Sequence, residues 1–215
     1  MSAEITNFTA TTMLANYSEI LAYLQANATD YFTSIAGDDD DHTITCNVGE
    51  TAKLVLNFNS SSAFQSAGYT VYLENGTSYQ ARLSVIGKAV KTSCGIMLFM
   101  RDGYTLTITK NNENTTVLIA DAYINTSGGS GLAAYDFLNS SAQTSVGGTT
   151  NSAAGLHSLV SAKAGHTTPV PFCFDGTTYT ENAVLLLFNN LNNVACRINI
   201  DGEAYVCDGA VALKE

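Results

Sequence analysis

The chain has 215 residues, of which 46% are hydrophobic and 13% are charged. A chain of this length and apolar content is expected to bury a core, either as one large β domain or as a domain with an attached arm. Its formal net charge of −10, with nine scattered Lys and Arg residues, argues against nucleic-acid binding, which needs clustered basic side chains. The longest apolar runs, such as residues 95–100, are far shorter than the ~20 residues of a membrane-spanning helix, so no membrane insertion is expected.

The N-terminus and the cysteines both predict synthesis in a reducing compartment. Met1-Ser2-Ala3-Glu4 shows no basic region followed by an apolar one, so no secretory signal is readable. The cysteines are odd in number and widely spaced, and they are predicted to be reduced and buried as small hydrophobic residues. The five are Cys46, Cys94, Cys173, Cys196 and Cys207.

The first predicted element is a helix over residues 12–36. Its apolar residues recur at alternating spacings of three and four, which suits both a coiled-coil seam and an amphipathic helix lying on a β core. Gly37 is the predicted stop, and Asn27 and Asp30 could split the stretch into two shorter helices. The apolar positions are Leu14, Tyr17, Leu21, Leu24, Ala28, Tyr31 and Ile35.

From about residue 43 the hydrophobic period changes to two, which predicts β-strands. The dipeptides Asn75-Gly76 and Asp102-Gly103 separate alternating runs and therefore predict tight hairpins. Residues 127–155 are rich in Gly, Ser and Thr and are predicted to form a long surface excursion or linker, which could hold one short element around Leu132 to Leu138. Asp175-Gly176, Asp201-Gly202 and Asp208-Gly209 mark further turns. The predicted strands are 52–58, 69–74, 77–86, 94–101, 104–109, 115–124, 156–164, 170–174, 183–188, 194–200, 203–207 and 210–213.

These elements predict a mainly β protein, in the form of an antiparallel β-sandwich or jelly-roll-like domain with an N-terminal helical arm. The arm is placed at residues 1–37 and the β domain at residues 43–215. One or two β subdomains both fit the pattern.

No group of residues predicts a catalytic or metal site. Four consecutive carboxylates at Asp38–Asp41 offer ligands for Ca²⁺, but they point in divergent directions and lack the EF-hand spacing, so a solvated loop is favoured. His157 and Ser158 are adjacent, which puts them on opposite faces of a strand. Cys173 lies in an apolar stretch that would raise a thiol pKa. The chain has no Gly-x-Ser-x-Gly, no phosphate-binding glycine loop and no tryptophan. We therefore expect no enzymatic activity and no cofactor.

The C-terminal third ends in a Gly-x-x-Tyr-x-x-x-Gly pattern formed by Gly202, Tyr205 and Gly209. This pattern resembles the end of β-rich virion proteins of tailed bacteriophages and prophages, in which a final hairpin of this type closes a surface domain. A helical arm ahead of a β head also resembles phage fibres and capsid decorations. The matching segments are 169–176, 179–185 and 200–213.

This resemblance implies a non-catalytic structural protein that is made in the cytoplasm of a bacterial host and exposed on the virion. It implies a homo-oligomer, with a trimer as the expected state, in contact with other virion proteins. The arm would serve assembly through Leu14, Tyr17, Leu21, Leu24 and Tyr31. Capsid decoration, head fibre and tail fibre all remain open. The alternative is a β-sandwich that binds a host-surface glycan or receptor, at a phage tail tip or on a bacterial surface.

Overall fold

A computed structural model of the protein describes more than half of the chain as strand, 54%, together with one helix near the N-terminus. The predicted mainly β class with an N-terminal helix is therefore confirmed. The residues described are 3–59, 68–72, 76, 78–110, 117–125, 129–136, 142–146, 157–158, 167–173, 179–188, 196–200, 202–207 and 211–215.

The helix, α1, spans Met13–Asn27, and the strands form three sheets. The N-terminal sheet contains, in spatial order, β2 (Ser34–Asp38), β3 (Thr43–Asn47), β4 (Lys53–Asn57), β5 (Gly68–Tyr72) and β6 (Ser78–Arg82). The eight-stranded sheet contains β1 (Glu4–Asn7), β7 (Ile86–Lys91), β8 (Gly95–Met100), β9 (Tyr104–Lys110), β10 (Val117–Asn125), β11 (Gly129–Asp136), β12 (Ala142–Val146) and β13 (His157–Ser158). The C-terminal sheet contains β14 (Thr167–Cys173), β15 (Tyr179–Phe188), β18 (Val211–Lys214), β17 (Glu203–Cys207) and β16 (Cys196–Ile200).

The sheets are antiparallel except for the short pairing of β12 with β13. Successive strands lie side by side and antiparallel in the N-terminal sheet and from β7 to β12, which is the connectivity of a meander. In the C-terminal sheet β18 lies between β15 and β17, so strands β15 to β18 form a Greek key. The sandwich arrangement is consistent with these sheets and stays a prediction.

Three predicted turns are confirmed at their glycines. Gly76, Gly103 and Gly202 have φ angles of 82°, 93° and 88°, a region that is costly for residues with a Cβ atom. The turn at Gly202 closes the β16–β17 hairpin, in which Ile200 pairs with Glu203. The predicted turns at 175–176 and 208–209 lie outside the described residues.

One hydrophobic core joins α1, the N-terminal sheet and strands β7 to β10. Its inner positions follow the period-two pattern: in β3 and β4, Ile44, Leu54 and Leu56 are fully buried, while the alternate residues are half-buried. The described residues of the predicted arm share this core with the β-strands. Residues 1–37 contribute β1 to one sheet, β2 to another and α1 to the core between them.

The helix predicted for residues 12–36 is wrong in its second half. The helix ends at Asn27, whose side-chain Nδ2 donates to the carbonyl of Tyr23 at 2.9 Å, and Ala28 has already left helical geometry. Residues 34–38 form β2 instead, and Gly37 lies in that strand rather than at a helix stop. Tyr31 and Ile35 still pack against the core, so the apolar spacing continues across a change of backbone conformation.

The predicted excursion at residues 127–155 contains more strand than expected: the short element predicted around Leu132 to Leu138 overlaps β11, and β12 also lies in this segment. β11 pairs with β10 over eight residue positions, from Asn125 opposite Gly129 to Leu118 opposite Asp136. Backbone hydrogen bonds hold such a ladder whatever the side chains are. Small residues such as Gly129 and Ala133 therefore give a strand without a hydrophobic pattern. Of the predicted strand 156–164, the described part is His157–Ser158.

The eight-stranded sheet is buried on both faces at β8, where every residue from Gly95 to Met100 is buried. Ile96 and Leu98 belong to the hydrophobic core, and Met97 and Phe99 are buried on the opposite face. On that face β18 approaches β8: a Cβ atom on Gly95 would lie 3.3 Å from Cδ1 of Leu213. The C-terminal sheet therefore contacts the eight-stranded sheet at this point.

Candidate assembly surface

Strand β1 lies at the edge of the eight-stranded sheet and pairs with β7 alone among the described strands. All four of its residues are exposed. Ile5 keeps 64% of its surface accessible, the largest value for any large hydrophobic side chain in the part of the chain that the structure describes. An edge strand with an exposed apolar side chain is a favourable template for pairing with another chain.

A small network fixes β1 relative to α1. The carboxylate of Glu19 accepts hydrogen bonds from Thr9 Oγ1 at 2.6 Å, from the Thr9 amide at 3.1 Å and from the Ala10 amide at 3.1 Å. The hydrogen bond from the Thr9 side chain is the largest cause that lowers the pKa of Glu19, and burial acts in the opposite direction. Thr12 then caps the helix, its Oγ1 accepting from the amide of Ala15 at 3.3 Å.

The inner face of α1 is attached to strand β7 through Asn16, which is fully buried. Its Nδ2 donates to the carbonyl of Ile86 at 3.1 Å, and its Oδ1 accepts from the Ile86 amide at 2.7 Å. The side chain thus pairs with the backbone as a neighbouring strand would. Because both Ile86 groups lose water on folding, this pairing makes the orientation of the helix specific.

Most of the residues predicted to serve assembly are buried or partly buried in the structure. Tyr17 is 3% exposed and Leu24 is fully buried, while Leu21 and Tyr31 are partly buried against the same core. Leu14 is 46% exposed. The helix face that carries these residues therefore packs against the core of the same chain. A role in assembly stays a prediction for these residues, and Leu14 is the one that the structure leaves accessible for it.

Tyr17 and Leu21 pack closely on β2. A Cβ atom on Gly37 would lie 2.4 Å from both Leu21 Cδ2 and the Tyr17 hydroxyl oxygen, so this position accepts only glycine without rearrangement. The Tyr17 hydroxyl donates to Asp39 Oδ1 at 2.9 Å. Burial, and then the hydrogen bond to Asp39 and the charges of Asp39 and Asp38, raise the pKa of Tyr17 to about 12.

The outer face of α1 carries no charged side chain. It begins with Leu14 and continues with small or neutral residues on successive turns. The exposed positions are Leu14, Ala15, Ser18, Ala22, Gln25 and Ala26. Sequence reasoning found Leu14 but missed Ile5, because a four-residue strand is too short to give a readable alternation.

The acidic run forms the turn between β2 and β3. Asp38 Oδ1 accepts from the amides of Asp40 and Asp41 at 3.0 and 3.1 Å, and His42 takes a left-handed conformation with φ of 51°. Its ring lies edge-on to Tyr17 with centroids 5.4 Å apart. Among the residues that the structure describes, no group of three or more His, Cys, Asp or Glu side chains could hold a metal ion.

The other residues considered for chemistry lie far apart in the topology. His157 and Ser158 form β13 at one edge of the eight-stranded sheet, and Cys173 ends β14 at an edge of the C-terminal sheet. Cys46 and Cys94 are free thiols. Burial raises the pKa of Cys46 to about 12, which keeps it protonated and unreactive at neutral pH.

Comparisons with protein-family models, with curated proteins and with solved structures found no match to this chain. In the described part of the chain, α1 is too short and too polar to span a bilayer.

Proposed function

We propose that this chain is a structural protein of a tailed-bacteriophage virion, exposed on the particle, and that it self-associates through its N-terminal segment. The segment consists of strand β1, the linker after it and the outer face of α1. We call it the assembly surface, with Ile5 and Leu14 as its apolar anchors. Its partner in this proposal is the same surface on a second copy of the chain.

The proposal rests on the location of the exposed apolar side chains. In the part of the chain that the structure describes, two large hydrophobic side chains are exposed, and both belong to the first fourteen residues: Ile5 at 64% and Leu14 at 46%. Burying each against a partner is worth roughly 1.5–3 kcal/mol for a complete transfer from water. The other large apolar side chains that the structure describes are buried or partly buried.

The charge distribution favours a like partner at this surface. With a net charge of −10, two copies repel one another in solution, so a contact has to form where carboxylates are few. The outer face of α1 has none, the carboxylate of Glu19 is occupied by Thr9 and Ala10, and Glu4 in β1 is the one exposed carboxylate of this surface. The free edge of β1 adds backbone donors and acceptors that an identical strand can pair with.

The C-terminal motif that resembles virion proteins has a structural role in the fold. Gly202 makes the turn between β16 and β17, and Tyr205 in β17 is buried. The charged residues around it pair across the strands, with Lys214 Nζ 3.1 Å from Glu203 and an ion pair between Arg197 and Glu215. A rigid terminal hairpin of this type suits a domain that faces the outside of a particle.

Mass spectrometry of purified phage particles tests the virion proposal. Particles induced from a host that encodes this chain should contain it in many copies, in a fixed ratio to the major capsid or tail protein. Recovery of the chain in the soluble lysate, with none in banded particles, would overturn the proposal. The copy number also distinguishes a decoration spread over the capsid from a fibre at the tail.

The outer face of the N-terminal sheet favours glycan binding as the second candidate. One cross-strand row there aligns Ser34, Asn47, Lys53, Tyr72 and Ser78. The ring of Tyr72 lies under Lys53 Nζ at 5.0 Å, and Asn47 Nδ2 donates to Ser34 Oγ at 2.8 Å. An aromatic ring beside amides and hydroxyls offers a sugar both a stacking surface and hydrogen-bond partners.

A glycan array probed with the wild-type protein tests this candidate. Binding that Tyr72→Ala abolishes and Thr70→Ala retains would support it, because Thr70 lies in the adjacent row of the same face. Binding that both variants retain would exclude this face as the site.

A further inference from the structure

Cys196 and Cys207 are directly opposed in the β16–β17 hairpin. The ladder runs from Ile200 opposite Glu203, next to the turn, to Cys196 opposite Cys207 at the open end. Directly opposed residues of an antiparallel ladder have Cα atoms about 4.5 or 5.5 Å apart, depending on the hydrogen-bonding type of the pair. Disulfides span Cα separations of roughly 4.4–6.8 Å. The backbone therefore places these two cysteines within bridging distance.

We propose that Cys196 and Cys207 are a redox-controlled modification site that forms a cross-strand disulfide when the protein meets an oxidising environment. The proposal is independent of the virion function. It is compatible with synthesis of all five cysteines as thiols, because a reducing cytosol would keep the pair open.

The topology disfavours Cys173 as a competing partner. It lies in β14, and two strands, β15 and β18, separate β14 from β17 in the C-terminal sheet. Three strands, β15, β18 and β17, separate β14 from β16. Strands are spaced about 4.8 Å apart, so the backbones of β14 and β17 are separated by about 14 Å. A disulfide cannot span this distance. Cys46 is fully buried in the core of another sheet.

The oxidant is a low-molecular-weight disulfide such as oxidised glutathione. The thiolate of one cysteine attacks the glutathione disulfide, which forms a mixed disulfide and releases one glutathione thiolate. The second cysteine then attacks the protein sulfur of the mixed disulfide and releases the other glutathione. The two protein thiols lose two electrons and two protons, and one glutathione disulfide becomes two glutathione thiols.

The bond would fix the edge of the C-terminal sheet. β16 is the edge strand and pairs with β17 alone among the described strands. The hairpin is already held near its turn, where Asn199 Oδ1 accepts from the Gly202 amide at 3.1 Å. The Cys196–Cys207 pair lies at the other end, where a hairpin frays first. A disulfide there closes the ladder at both ends and keeps the edge strand paired with β17.

Thiol counting after equilibration in glutathione redox buffers tests the proposal on the intact protein. In reduced glutathione, denaturation and alkylation should add five labels; in oxidised glutathione, three. Trypsin cleaves after Arg197, between the two cysteines, so the bridge should appear as two linked peptides. Cys196→Ser and Cys207→Ser should each give four labels in reduced glutathione and no cross-strand bridge in oxidised glutathione, where the remaining cysteine of the pair can carry only glutathione. The matched control Cys173→Ser should give four labels when reduced and two when oxidised.

Five labels on the wild-type protein in oxidised glutathione would overturn the proposal. Stable glutathione adducts without a bridge would overturn it too, as would a bridge that involves Cys46, Cys94 or Cys173. The wild-type measurement needs no substitution, so a variant that fails to fold does not affect the outcome.

Discussion

Replacing Asn16 with alanine should strongly destabilise the fold, because this side chain satisfies two buried backbone groups. The amide and the carbonyl of Ile86 both hydrogen-bond to it, and Asn16 has no exposed surface. Leaving a buried donor or acceptor without a partner costs about 1–3 kcal/mol each. Alanine has a higher helix propensity than asparagine, and this offsets about 0.5 kcal/mol of the lost stability. The expected loss is therefore about 2–5 kcal/mol, a large part of the ~5–15 kcal/mol by which domains are stable.

Urea unfolding followed by circular dichroism measures this loss as a change in the free energy of unfolding. Gln25→Ala is the matched control, because Gln25 lies on the same helix, is exposed and makes one hydrogen bond of 3.3 Å to the carbonyl of Ile35. The control should lose at most about 0.5 kcal/mol. Asn16→Asp keeps an acceptor for the Ile86 amide but loses the donor, so it should also be destabilised. Equal stability of Asn16→Ala and Gln25→Ala would refute the conclusion that α1 is attached to β7 in this way.

Three further predictions concern packing and pH. Gly37→Ala should lower the free energy of unfolding by about 1–3 kcal/mol, because the new Cβ would clash with the Tyr17 hydroxyl, which is hydrogen-bonded to Asp39. Ser34→Ala in the same strand is the control, and equal urea midpoints for the two variants would contradict the close packing at Gly37. The pKa of Glu19 is lowered from its usual 4.5, so its contribution to stability is present above that value and is lost as the pH falls through the lowered pKa. Glu19→Gln should therefore lose less stability than wild type on acidification, and parallel acid-unfolding curves would disprove this. The pKa values of Tyr17, Tyr23 and Tyr31 are raised from 10.0 to about 12, so stability should fall as the pH rises between these values. Phenolate absorbance should show that these three tyrosines ionise well above pH 10. Their complete ionisation near pH 10 with the fold intact would contradict their burial.

The sequence predicts the fold best where local chemistry decides the backbone. Alternating residues such as Leu54 and Leu56 define a strand with one buried face, and Asn75-Gly76 defines a tight turn because the glycine takes a positive φ. The end of α1 could not be read in the same way. Tyr31 and Ile35 keep the helical spacing of apolar residues, but they reach the core from a turn and from β2.

The candidate site was only partly predictable for a related reason. A helical pattern identifies which residues are apolar, but it does not say which surface covers them. Here the hydrophobic core of the chain itself covers Tyr17 and Leu24, and Leu14 is left exposed. The full extent of β11 and β12 could not be read from the sequence, because backbone pairing of β11 with β10 and of β12 with β11 holds their small residues in the sheet. The opposition of Cys196 and Cys207 needs the hairpin register, which spacing along the chain does not give.

Size-exclusion chromatography with light scattering tests most directly the claim that copies associate through Ile5 and Leu14. Wild-type protein should have the mass of an oligomer, and Ile5→Asp/Leu14→Asp should have the monomer mass with an unchanged circular dichroism spectrum. Leu24→Asp serves as the contrast: it should unfold, because Leu24 is fully buried in the core. A monomeric wild type over the whole concentration range, or a double variant that keeps the wild-type mass, would contradict the assembly surface.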